Sequence, residues 1–181
     1  EQREWAATQV RRQALLAEVA QRKAQLPDKQ ALSEDTETEY LAELESWQNA
    51  WNQAGDLPAS QAQALEEQFS QDINAIRRQL EASRYERQMQ QDMASLLVAA
   101  EKILDSKKPV TEQQVKSLEK RRKQRDWPTD SARLAKDLQR FKKIDKQLRQ
   151  RLIHQRELRT EKLEKLPGML DQLEALSKKN I

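Results

Sequence analysis

Residues 57–104 read LPASQAQALEEQFSQDINAIRRQLEASRYERQMQQDMASLLVAAEKIL, and this stretch decides the fold. After Leu57-Pro58, apolar side chains recur at Leu65, Phe69, Ile73, Ile76, Leu80, Tyr85, Met89, Met93, Leu97 and Leu104, with neither Pro nor Gly between them. A half-buried strand would alternate every second residue and stop within about ten. This pattern instead keeps one apolar edge on a helix, and about 45 residues at 1.5 Å each give a helix of roughly 68 Å. So long a helix cannot curl into a globule by itself. It has to pack against other helices.

The sequence on either side supplies them. Upstream, residues 2–26 place Trp5, Val10, Leu15, Leu16 and Val19 on or near one helical face and stop at Pro27-Asp28. Thr36 with Glu39 has the spacing of a capping box, and the helix it would open carries Tyr40, Leu44, Trp47 and Trp51 at 4-3-4 spacing. Gly55 is placed to end that helix in a left-handed cap, and Ser60 with Gln63 offers a second capping box for the long helix. Downstream, a break at 106–110 contains Pro109, and Thr111 with Gln114 forms a third box opening a short helix through Val115 and Leu118 that ends near Trp127-Pro128. Asp130 then stands as the cap of a second long helix bearing Leu134, Leu138, Phe141, Ile144, Leu148, Leu152 and Leu158. Pro167-Gly168 is expected to interrupt it, leaving Met169, Leu170, Leu173 and Leu176 on a separate short helix or a kinked continuation.

Composition agrees. The 181 residues include only 2 Gly and 5 Pro, too few turn residues for many short strands, and the apolar share of 36% falls short of the roughly 45–50% of ordinary globular chains. The fold expected is all-α: elongated antiparallel helical repeats with long helices, packed as a solenoid or in spectrin-like, coiled-coil fashion. No stretch approaches the roughly 18 uncharged apolar residues of a membrane span, so a soluble chain is expected. Neither an initiator Met nor a secretory signal opens it, so it reads as an excised piece of a longer protein. With zero Cys there is no disulfide, and a cytoplasmic location is the expectation.

The layout of short helix, Pro turn and long helix occurs twice. Phe69, Ile76 and Leu80 match Phe141, Leu148 and Leu152 at identical offsets, and Asp56-Leu57-Pro58 matches Asp126-Trp127-Pro128. Two copies about 70 residues apart suggest a tandem array in which each unit buries its seam against a neighbour. Trp51, Gly55, Pro58, Leu65 and Phe69 reproduce a W-x3-G-x2-P-x6-L-x3-F core, and on these residues the chain resembles the bacterial domain of unknown function family 349. The resemblance is clearest over 40–104. It implies a charged helical tandem repeat of long cytoplasmic proteins, with no activity, cofactor or catalytic residue. The expected organisation is a leading helix at 1–27, the tail of a preceding repeat whose Leu15-Leu16 corresponds to Leu96-Leu97, then a first repeat at 36–105 and a degenerate second at 111–181, where the Trp has moved beside the Pro and no Gly precedes it.

Little in the sequence suggests catalysis. His154 is the only histidine, so neither a His-based triad nor a multi-His metal site can be assembled, and it is expected to face solvent. Glu37, Glu39, Glu43 and Glu45 are expected near a helix start because the helix dipole favours acids there. The two glycines, Gly55 and Gly168, are too few and too far apart for a phosphate-cradling loop. No enzyme, no cofactor, no metal and no small-molecule substrate are therefore expected. Trp47 and Trp51 are read as packing anchors, and Trp127 as a plug in its turn or else a stacking surface.

Charge is the most functional-looking feature. Residues 1–105 hold 11 Lys and Arg against 19 Asp and Glu, and residues 106–181 hold 22 against 11, so a net +3 conceals two oppositely charged halves. Lys120, Arg121, Arg122, Lys123, Arg125, Arg140, Lys142, Lys143 and Arg149 are the candidate nucleic-acid-binding residues of the basic 107–151 stretch. The alternatives are pairing with acidic residues, within or between chains, and plain solubility. A membrane-surface role ranks lower, since the basic helices lack an exposed apolar face to insert. The leading expectation is a non-enzymatic helical scaffold that binds a protein partner or itself. The alternative is a nucleic-acid or ribosome-associated binder.

Overall fold

In the computed structural model, which describes residues 1–179, the periodic stretch is one uninterrupted helix. The described residues form five α-helices and no strand: α1 (Gln2–Gln25), α2 (Glu34–Gln53), α3 (Ala59–Asp105), α4 (Glu112–Lys123) and α5 (Ala132–Lys179). The all-α class and the packing of long helices against one another are as the periodicity required. None of these helices is long and apolar enough to cross a membrane.

The packing divides into two units, residues 1–88 and 89–181, with the division inside α3. In unit 1, Leu16 and Val19 of α1, Tyr40, Leu44, Trp47 and Trp51 of α2, and Phe69, Ile73, Ile76 and Leu80 of α3 make one core, closed by Leu32 from the α1–α2 connection. Trp51 stacks on Phe69 with ring centroids 4.1 Å apart and planes 7° from parallel. Its indole N–H donates to Glu66 at 2.9 Å, and the Arg12 guanidinium lies 4.8 Å over its ring. Trp47 donates to Glu18 at 2.9 Å, and the Tyr40 hydroxyl donates to the Arg22 carbonyl at 2.9 Å. Each large ring buries its face and still satisfies its polar edge, so two Trp and a Tyr fit in a core this thin. Burial raises the Tyr40 pKa above the usual phenol value.

Unit 2 has a core that is mostly aliphatic, with Phe141 as its one fully buried ring. Met89, Met93, Leu96, Leu97 and Ala100 of α3 meet Val115 and Leu118 of α4 and Leu134, Phe141, Ile144 and Leu148 of α5, with Val110 from the connection. Trp127 packs at the edge and donates to the Arg122 carbonyl at 2.8 Å, which makes it the plug of its own turn.

Several expectations need correction. Trp5, Val10, Tyr85 and Leu158 are exposed, while Thr8, Arg12, Glu37, Ser83 and Glu86 are buried. Three of the buried groups have distant polar partners, whereas the Ser83 hydroxyl has none among the described residues. Arg12 donates to the Gly55 carbonyl at 2.8 Å, Glu37 is bridged by Arg84 and Arg87, and Lys29 reaches Glu86. Glu37 and Glu43, the latter paired with Arg22 at 2.7 Å, are thus interhelical partners as well as acids near a helix start.

The caps shift as well. Ser33, not Thr36, caps α2, its hydroxyl accepting from the Thr36 N–H at 3.2 Å, because the helix already starts at Glu34. At α3 the Pro58 carbonyl accepts from both Gln61 and Ala62, so Ser60 lies inside the first turn and no box with Gln63 is needed. Ser131, not Asp130, caps α5 by accepting from the Leu134 N–H at 3.4 Å. The Thr111–Gln114 box forms as expected, with bonds of 3.2 and 3.0 Å. Nor does Pro167-Gly168 divide α5, which runs through it to Lys179. Proline removes one N–H and crowds one carbonyl, and good helix formers on both sides, Glu164, Lys165 and Leu166 before and Met169, Leu170 and Leu173 after, carry the helix across.

Gly55 is the only residue with positive φ among those described, at +102°, directly after the α2 cap Ala54. A Cβ there would sit 2.9 Å from the Thr8 hydroxyl oxygen, so the site excludes a side chain twice, by backbone and by space. Gly55→Ala is expected to lower stability by about 1–3 kcal/mol. Pairing it with Thr8→Ala should restore only the part due to the clash. Urea unfolding of the two variants separates the contributions, and a wild-type midpoint for Gly55→Ala would refute both.

Candidate interaction surfaces

The basic surface belongs to α4 and the first half of α5. Their buried residues, Val115 and Leu118 on α4 and Leu134, Phe141, Ile144 and Leu148 on α5, take up one face of each helix, which leaves the cations on the others. Much of that charge is already answered. Lys123 pairs with Glu119 at 2.8 Å, Arg125 with Asp92 at 3.0 Å, Arg140 with Glu101, and Arg149 with both Glu119 at 3.0 Å and Asp145 at 2.8 Å. Arg121 donates to Ser95 at 3.3 Å. Of the nine candidate residues, Lys120, Arg121, Arg122, Lys142 and Lys143 have no ion pair among the described residues; Lys142 and Lys143 are exposed side by side on α5, while Arg122 is half-buried near Trp127. The structure therefore spreads these residues over α4, the turn after it and α5, among several carboxylates, and does not gather them into one groove.

Glu119 sits at the centre of this network. Hydrogen bonds from Lys123 and then Arg149 hold its carboxyl at about 2, far below the usual carboxylate range, and Lys116 with Arg156 lowers Glu112 in the same way. A depressed folded-state pKa adds stability that is present above the unfolded value and lost as pH falls through the folded one. Wild-type unit 2 is expected to weaken between pH 4.5 and about 2 in part through Glu119. Glu119→Gln should flatten that part of the acid profile, measured by circular dichroism. An unchanged profile would show that the network carries no folded-state preference.

The other exposed feature was missed in the sequence. From Arg156, which pairs with Glu112 of α4 at 2.9 Å, every described residue of α5 is exposed, and Leu158, Leu163, Leu166, Met169, Leu170, Leu173 and Leu176 are all between 43% and 62% exposed. The expectation that the second long helix lacks an exposed apolar face holds for its basic portion and fails here. The signal was present as Leu and Met at three- and four-residue steps, but the assumed break at Pro167 split it in two. Phe141 and Leu148 are fully inside unit 2. Substituting them would report on folding, not on a contact surface.

Among the described residues no group of three His, Cys, Asp or Glu is placed to hold a metal ion, and His154 is exposed, 4.0 Å from Glu157. A small cleft lined by Asp92, Ser95, Arg121, Arg125 and Trp127 has its charges committed to the Arg125–Asp92 pair and the Arg121–Ser95 bond. No family model, curated protein or solved structure matches the chain.

Proposed function

We propose that this chain is a non-enzymatic helical scaffold, an interaction segment of a larger bacterial cytoplasmic repeat protein, and that its docking face is the apolar stripe on the last third of α5. The observation that carries the reading is the exposure of Leu163, Leu166, Met169, Leu170, Leu173 and Leu176 on one continuous helix. A contiguous apolar patch of this kind on a soluble protein marks a contact with another macromolecule. Charged side chains flank the stripe without filling it, as at the rim of a protein–protein contact.

The test is a photo-crosslinking side chain at Met169 in the intact protein in its host. Discrete protein adducts that vanish with Leu166→Glu plus Leu173→Glu are expected. The same adducts surviving both substitutions, or none forming, would refute the reading.

The second reading, nucleic acid on the basic surface, is favoured by the unpaired Lys120, Lys142 and Lys143. Labelled oligonucleotides titrated at about 50 and 200 mM salt decide it, since phosphate contacts lose affinity steeply over that range. Binding that collapses with salt and is abolished by charge reversal at Lys142 and Lys143 would support it. No binding at low salt would remove it.

A further inference from the structure

We infer that the exposed end of α5 is the first helix of a third three-helix unit, and that its occupant is a helix pair of the same design as those covering α1 and the second half of α3. The inference rests on the scaffold reading above and names the partner of its docking face.

The argument is one of register. The buried residues of α1 are Thr8, Arg12, Leu16 and Val19, and 81 positions further on stand Met89, Met93, Leu97 and Ala100, the buried row of α3 in unit 2. Leu15-Leu16 corresponds in the same register to Leu96-Leu97. A further 73 positions on from Met93, Leu96, Leu97, Ala100 and Ile103 stand Leu166, Met169, Leu170, Leu173 and Leu176. The first two rows are covered and the third is not. Because each row contains two adjacent apolar residues, Leu15-Leu16, Leu96-Leu97 and Met169-Leu170, the stripe is too wide for the narrow seam that a single neighbouring helix fills. It takes two helices at once, as both covered rows do.

The chain also shows what those two helices are. Each covered row meets a short helix and then a long one whose early Phe, Phe69 or Phe141, enters the core. Ten residues after each Phe a side-chain donor holds the carbonyls where the first helix ends. Gln79 donates to Pro27 at 2.6 Å, and Arg151 donates to Leu104 and Ser106 at 2.8 Å. Glu101, which pairs with Arg140 one residue before Phe141, has its equivalent at Glu174. The occupant is therefore a short amphipathic helix followed by a long one carrying a Phe with a cation just before it and a side-chain donor ten residues later. The chain's own pairs are already engaged with α1 and α3, so the pair comes from beyond these residues.

The chain has no Cys, so Leu173→Cys introduces a single reporter thiol. In the full chain that thiol should react with a maleimide about as fast as a free one. A copy of residues 106–160 is then joined after Lys178, the position equivalent to Asp105, so that a helix pair follows the tail as α4 and α5 follow α3. Labelling is expected to slow by about tenfold or more, in step with a gain in helical circular dichroism. Labelling within about twofold of the unextended chain would overturn the inference, whether or not the added residues become helical. Leu170→Glu in the extended chain should restore fast labelling, and slow labelling that survives it would likewise overturn the inference. Crosslinks from Met169 to a protein lacking such a pair would also sink it while leaving the scaffold reading intact. Absence of any crosslink would remove the scaffold reading and the inference with it, since a helix pair seated on this face would also be captured at Met169.

Discussion

Trp51→Ala is expected to destabilise unit 1 by about 3–5 kcal/mol, the range for removing a large aromatic from a packed core. Three losses coincide. The ring leaves the stack on Phe69, the Arg12 guanidinium loses the face it lies over, and a void opens between α2 and α3. The loss of the indole donor contributes little, because Glu66 is half exposed and turns to water. Trp51→Phe should therefore recover most of the effect, since it keeps a ring against Phe69 and gives up only the hydrogen bond and part of the volume. Urea unfolding of both variants by circular dichroism tests this. A loss below about 1 kcal/mol for Trp51→Ala would mean that the stack is peripheral to the core.

Phe141→Ala should have an effect of similar size on unit 2, again about 3–5 kcal/mol. Phe141 is almost fully buried amid Met89, Met93, Leu97, Leu118 and Leu134, and α4 has only 12 residues with which to close over a void. So short a helix has little stability of its own, and α4 depends on this packing to exist. Trp127 gives the readout, since it lies in unit 2 while Trp5, Trp47 and Trp51 lie in unit 1. With those three replaced by Phe as the reference, the Trp127 emission should shift at a lower urea concentration in Phe141→Ala. An unchanged midpoint would refute the assignment of Phe141 as the centre of this core.

The stability of the units and the exposure of the α5 tail are physically separate. Leu166→Glu or Leu173→Glu removes no buried contact, so neither substitution should move the unfolding midpoint measurably. That separation makes the tail usable as a probe of interaction.

The sequence by itself determined the helices, because hydrophobic period, Pro, Gly and capping residues act within a few positions of each other. Thr111 with Gln114, Gly55 at its positive φ and the Phe69 and Phe141 rows are all local decisions that the structure repeats. Three of the five residues carrying the family resemblance also have a structural explanation, with Trp51 stacked on Phe69 and Gly55 tight against Thr8. Only the tertiary structure decided which polar groups go inside. Arg12 and Glu37 are charged and on local grounds belong in water; their burial depends on a Gly55 carbonyl 43 residues away and on Arg84 and Arg87 about 50 away. The same holds for the nine candidate basic residues, three of which, Arg125, Arg140 and Arg149, are answered by carboxylates on other helices, and for α5. Its apolar row is the same kind of signal before and after residue 152, and nothing local says that one part is covered and the other bare. Burial is a property of what stands opposite, and a single helix does not encode its neighbour.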